Sequence, residues 1–182
     1  MGQQVRPTAN ATPAPDTKLS KVLAANLEKV GITGTVSTAQ ASKAYAKLLE
    51  GERYGWAIKN SRTRRDPAMT QATVIAARTA LEQAIDANPR LAEAYTALAE
   101  LAITAPPGDI DEAIDLASLA LKIDPKNFGA RRIIARLFTF KSGLGSRSLE
   151  QSSASRAVDE WKFVASLDPR YAEAWAFLSE FY

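Results

Sequence analysis

Apolar side chains along this chain return every three or four positions, the period of a helix with one buried face. Leu19, Val22, Leu23, Leu27 and Val30 share such a face, and Gly31 stands where the helix would stop, so a first helix is predicted over about 17–30. A short linker from Ile32 to Val36 leads to Ser37 or Thr38 as an N-cap. Ala41, Ala44, Tyr45, Leu48, Leu49 and Tyr54 then form the apolar stripe of a second helix running to about residue 59. The stretch from Asn60 to Asp66 is polar and basic. Asp66 and Pro67 read as an N-cap and a first-turn proline, opening a long helix that reaches Ala87. Asn88-Pro89 closes it, because the residue before a proline is pushed out of the α region.

That closing signal occurs three times. LEQAIDANPRLAEAY at 81–95, LALKIDPKNFGARRI at 119–133 and FVASLDPRYAEAWAF at 163–177 each carry an apolar helix end, an Asn-Pro or Asp-Pro break, and a new Ala-rich helix soon after. Pro89 to Pro125 is 36 residues and Pro125 to Pro169 is 44, a period suited to helix-turn-helix units with insertions.

Within each unit particular residues recur. First-helix positions read Trp175, Leu178, Ser179 and Tyr182; Arg131, Ile134, Ala135 and Phe138; Tyr95, Leu98, Ala99 and Ala102; and, in a degenerate copy, Gly51 and Tyr54. Second-helix positions read Ala77, Leu81 and Ala84; Ala113, Ala117 and Ala120; and Ala157, Trp161 and Val164. Small residues at these places let two helices approach closely while a large neighbour fills the groove beside them. The pattern resembles the tetratricopeptide repeat family over residues 44–182. The resemblance implies an all-α fold, a right-handed solenoid of antiparallel helix pairs with about 3.5 repeats. The first helix is left over and is expected to act as an N-terminal cap.

The departures are insertions within repeats. They fall around NSRTRRDPAMTQ and KSGLGSRSLEQ, with a smaller one at Ala105-Pro106-Pro107-Gly108-Asp109. Ser148-Leu149-Glu150-Gln151 has capping-box spacing and predicts a lengthened helix from about 149 to 166. After the first helix of the last copy, Trp175, Phe177, Leu178, Phe181 and Tyr182 are expected to lie partly bare, which marks them as a candidate interface for self-association or for a continuation of the stack in a longer protein.

Composition narrows the chemistry. The chain has no cysteine and no histidine, which removes disulfides, thiol nucleophiles, Cys/His zinc sites and the usual proton shuttle at neutral pH. No cofactor, metal or catalytic residue is expected. Gly143-Leu144-Gly145-Ser146 lacks the strand and the Gly-Lys-Ser/Thr of a phosphate loop, and Asp109, Asp111 and Glu112 sit at a helix start, where carboxylates suit the dipole. Its 23 basic and 20 acidic side chains are interspersed, giving +3, and no apolar run is long enough to span a membrane. Residues 1–16 are Pro-rich and polar, so they are expected to be a disordered leader; should they replace a removed export signal, the protein is periplasmic, and otherwise cytoplasmic. The basic run Arg62, Arg64 and Arg65, with Lys59 nearby, is read as a solvated loop before an anion site; nucleic acid is not an expected partner.

By resemblance, the inner surface of such a stack grips a protein or peptide. Its candidate contacts here are Glu93, Thr96, Glu100, Arg132, Arg136, Glu173 and Glu180. Arg132 and Arg136, one turn apart, could hold a carboxylate-bearing partner or pair with glutamates of adjacent repeats. The Lys/Asn carboxylate clamp of chaperone-binding members is not evident. The expected function is therefore a non-catalytic protein-binding scaffold. The alternative is an assembly subunit docked through the apolar C-terminal end in a larger exported or membrane-associated complex.

Overall fold

The computed structural model describes residues 18–31, 35–60, 67–143 and 150–181. Among them are eight helices and no strand: α1 (Leu19–Val30), α2 (Thr38–Asn60), α3 (Pro67–Ala87), α4 (Ala92–Thr104), α5 (Ile110–Ile123), α6 (Phe128–Ser142), α7 (Gln151–Leu167) and α8 (Ala172–Phe181). The chain is all-α, as its periodicity predicts.

Local chemistry explains several of the boundaries. Ser37 caps α2 reciprocally with Gln40: the Gln40 amide donates to Ser37 Oγ at 3.3 Å, and the Ser37 amide donates to Gln40 Oε1 at 3.2 Å. Asp109 caps α5 by accepting from the Glu112 amide at 2.8 Å. The start of α7 differs from expectation. Glu150, not Ser148, is its cap, accepting from the Ser152 and Ser153 amides. A carboxylate at that place serves two orphan amides and the dipole together, and the Glu150 carboxyl is held down at about 2 by the hydroxyls and amides of Ser152 and Ser153. Ser148, the 1–16 leader, Arg62, Arg64, Arg65 and Tyr182 lie outside the described residues.

The three proline breaks are one connection built three times. Asn88, Asp124 and Asp168 each accept, through the side chain, the amide two residues on, at 3.0–3.1 Å. Six residues after each proline, the first-helix side chain turns back to the proline carbonyl: Tyr95 Oη to Pro89 at 2.9 Å, Arg131 Nη2 to Pro125 at 3.0 Å and Trp175 Nε1 to Pro169 at 2.8 Å. Three unlike side chains serve because each offers a donor at the same reach.

Helices α2 and α3, α4 and α5, and α6 and α7 pack as hairpins. Every second-helix residue singled out above is buried: Ala77, Leu81, Ala84, Ala113, Ala117, Ala120, Ala157, Trp161 and Val164 are each 0–1% exposed. Between hairpins, α2 touches α4 and α4 touches α6, whereas α3 and α5, or α5 and α7, do not meet. The first-helix side of the stack is therefore the tighter one.

Two expectations are corrected. First, α1 does not stand in front of α2 as a cap. It packs on α5, burying Leu23 and Leu27. Its N-terminus has no side-chain cap of its own; Ser20 instead donates from its amide and its hydroxyl to the Glu112 carboxylate, both at 2.8 Å. At the other end Arg90 donates to the carbonyls of Gly31 (3.0 Å) and Val30 (3.3 Å). A carboxylate at the positive end and a guanidinium at the negative end are what a helix dipole favours, and these side chains lie outside the helix they cap.

Second, α2 carries two apolar faces where one was read. Ala44, Leu48, Gly51 and Ile58 are buried, while Tyr45, Leu49 and Trp56 are 50%, 63% and 67% exposed. The spacings from Tyr45 to Leu49 and from Leu49 to Trp56 set these three on one line along the helix, away from the buried row.

Candidate functional site: the first-helix groove

Trp56, at the end of that exposed line, borders a groove. The space between α2, α4 and α6 measures about 550 Å³ and is lined by Gly51, Glu52, Gly55, Trp56 and Lys59 of α2, by Glu93, Thr96, Ala97, Glu100, Leu101 and Thr104 of α4, and by Asn127, Phe128, Gly129 and Arg132 at the start of α6, among others. Small residues make the room. A Cβ added to Gly55 would meet nothing within 4 Å, so this turn of α2 is bare backbone facing open space. Gly51 is different: a Cβ there would fall 2.5 Å from Leu81 Cγ, so this glycine exists to let α2 and α3 touch.

Charges in the groove are partly spent on one another. Glu100 accepts from Lys59 through one carboxylate oxygen and from Arg132 Nη2 through the other, the latter at 2.7 Å. Burial alone would raise the Glu100 carboxyl, but hydrogen bonds and charge from Lys59 and Arg132 outweigh it and hold the group below its ordinary value. Arg132 Nε is buried with no partner. Beyond the groove, Arg136 donates to Glu173 Oε1 at 2.6 Å, which lowers the Glu173 carboxyl and raises the Arg136 guanidinium.

The candidate residues thus fall into separate groups. Glu93, Thr96, Glu100 and Arg132 line one groove; Arg136 and Glu173 form a bridge between α6 and α8; Glu180 is exposed on α8 and lines no part of that groove. Both arginines are paired with glutamates of another helix, Arg132 with Glu100 of α4 and Arg136 with Glu173 of α8. Thr96 is not free either, since its hydroxyl lies 3.1 Å from both the Ala92 carbonyl and Asn127 Oδ1.

Unpaired charge sits on the α2 and α4 wall, where Glu52 and Glu93 have no ion pair among the described residues. Partial burial, together with the charges of Glu100 and Glu93, pushes the Glu52 carboxyl up. Sequence reasoning missed Glu52 and Trp56. Their signal was present as the i, i+4 pair at 52 and 56, in line with Tyr45 and Leu49, but the α2 stripe was read as a single buried face.

The α8 end is the second surface. Phe177 stacks on buried Trp161 with centroids 5.0 Å apart, and Phe181 packs on the same cluster, so both are half-buried. Trp175 stays 53% exposed. It borders a second pocket of about 560 Å³ with Lys162, Ala165, Ser166, Pro169, Leu178 and Ser179. At the equivalent place, Tyr95 is fully buried and Arg131 is held by Glu160 at 2.8 Å and by the face of Phe163 at 4.1 Å.

Among the described residues no group of three or more metal-ligating side chains gathers, and no helix is long and apolar enough to cross a membrane. No protein-family model matches the chain, and no curated protein matches it either.

Proposed function

We propose that this chain is a non-catalytic scaffold of the tetratricopeptide kind, a helical solenoid that holds an extended segment of a partner protein along its first-helix groove. The observation that carries the reading is the groove itself. It has a bare glycine turn for a floor and an exposed tryptophan at its edge, on the side where successive hairpins draw together. An indole that exposed is a large contact area with few rotamers to freeze, the kind of anchor that dominates interfaces. Support also comes from the threefold repetition of the turn, the mark of units stacked by one rule.

The test is selection of binding peptides from a displayed random library, followed by calorimetry against Trp56→Ala and Gly55→Leu variants. Both changes are on exposed or open positions, so the fold tolerates them. At least one selected class should lose about ten-fold or more in affinity in both variants. If every selected peptide binds both variants as well as the parent, the groove is not the binding surface.

A second reading is favoured by Trp175: assembly through the α8 face. Light scattering across concentration decides it. A monomer at all concentrations rules out self-assembly, whereas a dimer abolished by Trp175→Ser supports docking through this end.

A further inference from the structure

We infer that the groove selects its partner through a basic side chain, arginine before lysine, laid on the Trp56 indole and held by the carboxylates of Glu52 and Glu93. The inference rests on the groove reading above and names the chemistry of its occupant.

Charge accounting inside the cavity points this way. Its lining holds four carboxylates, Glu52, Glu93, Glu100 and Asp124, against three cations, Lys59, Lys126 and Arg132. Lys59 and Arg132 are each paired with one oxygen of Glu100, which leaves Lys126 as the lining cation without an ion pair among the described residues, against Glu52, Glu93 and Asp124 as carboxylates without one. An incoming anion would have to settle for Lys126 or compete with Glu100 for Lys59 and Arg132, amid a majority of carboxylates. An incoming cation displaces nothing, because Glu52 and Glu93 face the space without partners among the described residues. Partial burial first, then the charges of Glu100 and Glu93, push the Glu52 carboxyl up, and a cation held there would relieve all three.

Geometry selects the type of cation. Glu52 and Trp56 are one helical turn apart on the same face of α2, and both line the cavity with Glu93 from the facing wall. A planar guanidinium can stack on the indole while its edge donates to carboxylates, which a compact ammonium does less well. The bare turn at Gly55 admits the aliphatic stem, and Leu49, 63% exposed, extends the apolar surface toward a neighbouring side chain of the partner.

Long-range electrostatics do not supply this preference. The whole chain is +3, so non-specific attraction would favour an acidic peptide. A preference for a basic one has to come from the site.

The experiment uses the full chain and fluorescein-labelled peptides sharing one Gly-Ser frame with a flanking leucine, differing only in a central arginine, lysine, citrulline or glutamate. Anisotropy is measured at physiological ionic strength. Citrulline keeps the planar shape and loses the charge. The arginine peptide should bind about ten-fold tighter than the citrulline or glutamate peptide. Glu52→Gln with Glu93→Gln should erase that difference, and Glu28→Gln with Asp115→Asn, the same change in charge elsewhere, should preserve it. Trp56→Ala should weaken the arginine peptide. Equal binding of arginine and citrulline peptides, lost in Gly55→Leu, would overturn the inference and leave the groove reading standing. Failure of all four peptides, with displayed peptides insensitive to Gly55→Leu, would remove both.

Discussion

Two glycines one turn apart on α2 do opposite things, and a single methyl group separates them. At Gly51 the added carbon would lie 2.5 Å from Leu81 Cγ and 2.6 Å from its Cδ2, with Leu81 itself 1% exposed and unable to withdraw. Gly51→Ala should cost about 1–3 kcal/mol, the usual range for overpacking. At Gly55 nothing stands within 4 Å, so Gly55→Ala should add about 0.5–1 kcal/mol from helix propensity alone. Urea midpoints of the two variants should move in opposite directions; movement the same way would show that the α2–α3 contact is looser than described. No one-dimensional pattern distinguishes the two, since both read as small residues in a helix. Distinguishing them took the position of Leu81 on a different helix.

At the scale of elements, the repeated parts were legible and the singular parts were not. Second-helix residues such as Ala113, Ala117 and Ala120 could be placed because one rule of close approach recurs three times. The docking of α1 could not be, because it depends on a Glu112–Ser20 pairing across 92 residues that occurs once. Glu112 was read as a carboxylate suiting its own helix dipole. That duty is met by Asp109, and the Asp109 amide is itself taken up by the Ala102 carbonyl, leaving the Glu112 side chain for α1. Glu112→Ala should therefore free α1 more than it harms α5. Hydrogen bonds to a buried charge are worth about 1.5–3 kcal/mol, so amides of α1 should exchange some ten- to hundred-fold faster while those of α5 change little. Unchanged α1 protection would mean that Leu23 and Leu27 hold the helix without the carboxylate. The groove was half legible for a related reason: Glu93, Thr96, Glu100 and Arg132 follow the repeat register, whereas Trp56 and Glu52 belong to the degenerate copy.

For the molecule as a whole, pH should reveal two separate limits. Glu100 and Glu173 have carboxyls held below the ordinary 4.5, by Lys59 with Arg132 and by Arg136 respectively. Their contribution is fully present above that value and is lost as pH falls through the lowered folded values. The sign reverses for Tyr95, whose hydroxyl is pushed from 10 up to about 12 by burial and by Asp86. Its contribution is present below pH 10 and is lost as pH rises toward 12. Urea midpoints against pH should fall at both ends. Tyr95→Phe should remove much of the alkaline loss, and Glu100→Gln with Glu173→Gln should flatten the acid limb. An alkaline limb untouched by Tyr95→Phe would place its origin elsewhere.

The docking of α1 on α5 also decides how the chain bears a mechanical load. Hairpin α2–α3 lies inside the loop that this contact closes, so tension applied between Lys18 and α8 passes from α1 directly into α5 and bypasses the first hairpin. That hairpin feels force only after the Glu112 and Arg90 clamps release. Unravelling of α2 and α3, residues 38–87, then frees on the order of 170 Å of chain at about 3.3–3.6 Å per residue. In single-molecule pulling, α1 acts as a fuse: it should give way first, and the first hairpin should unravel only afterwards.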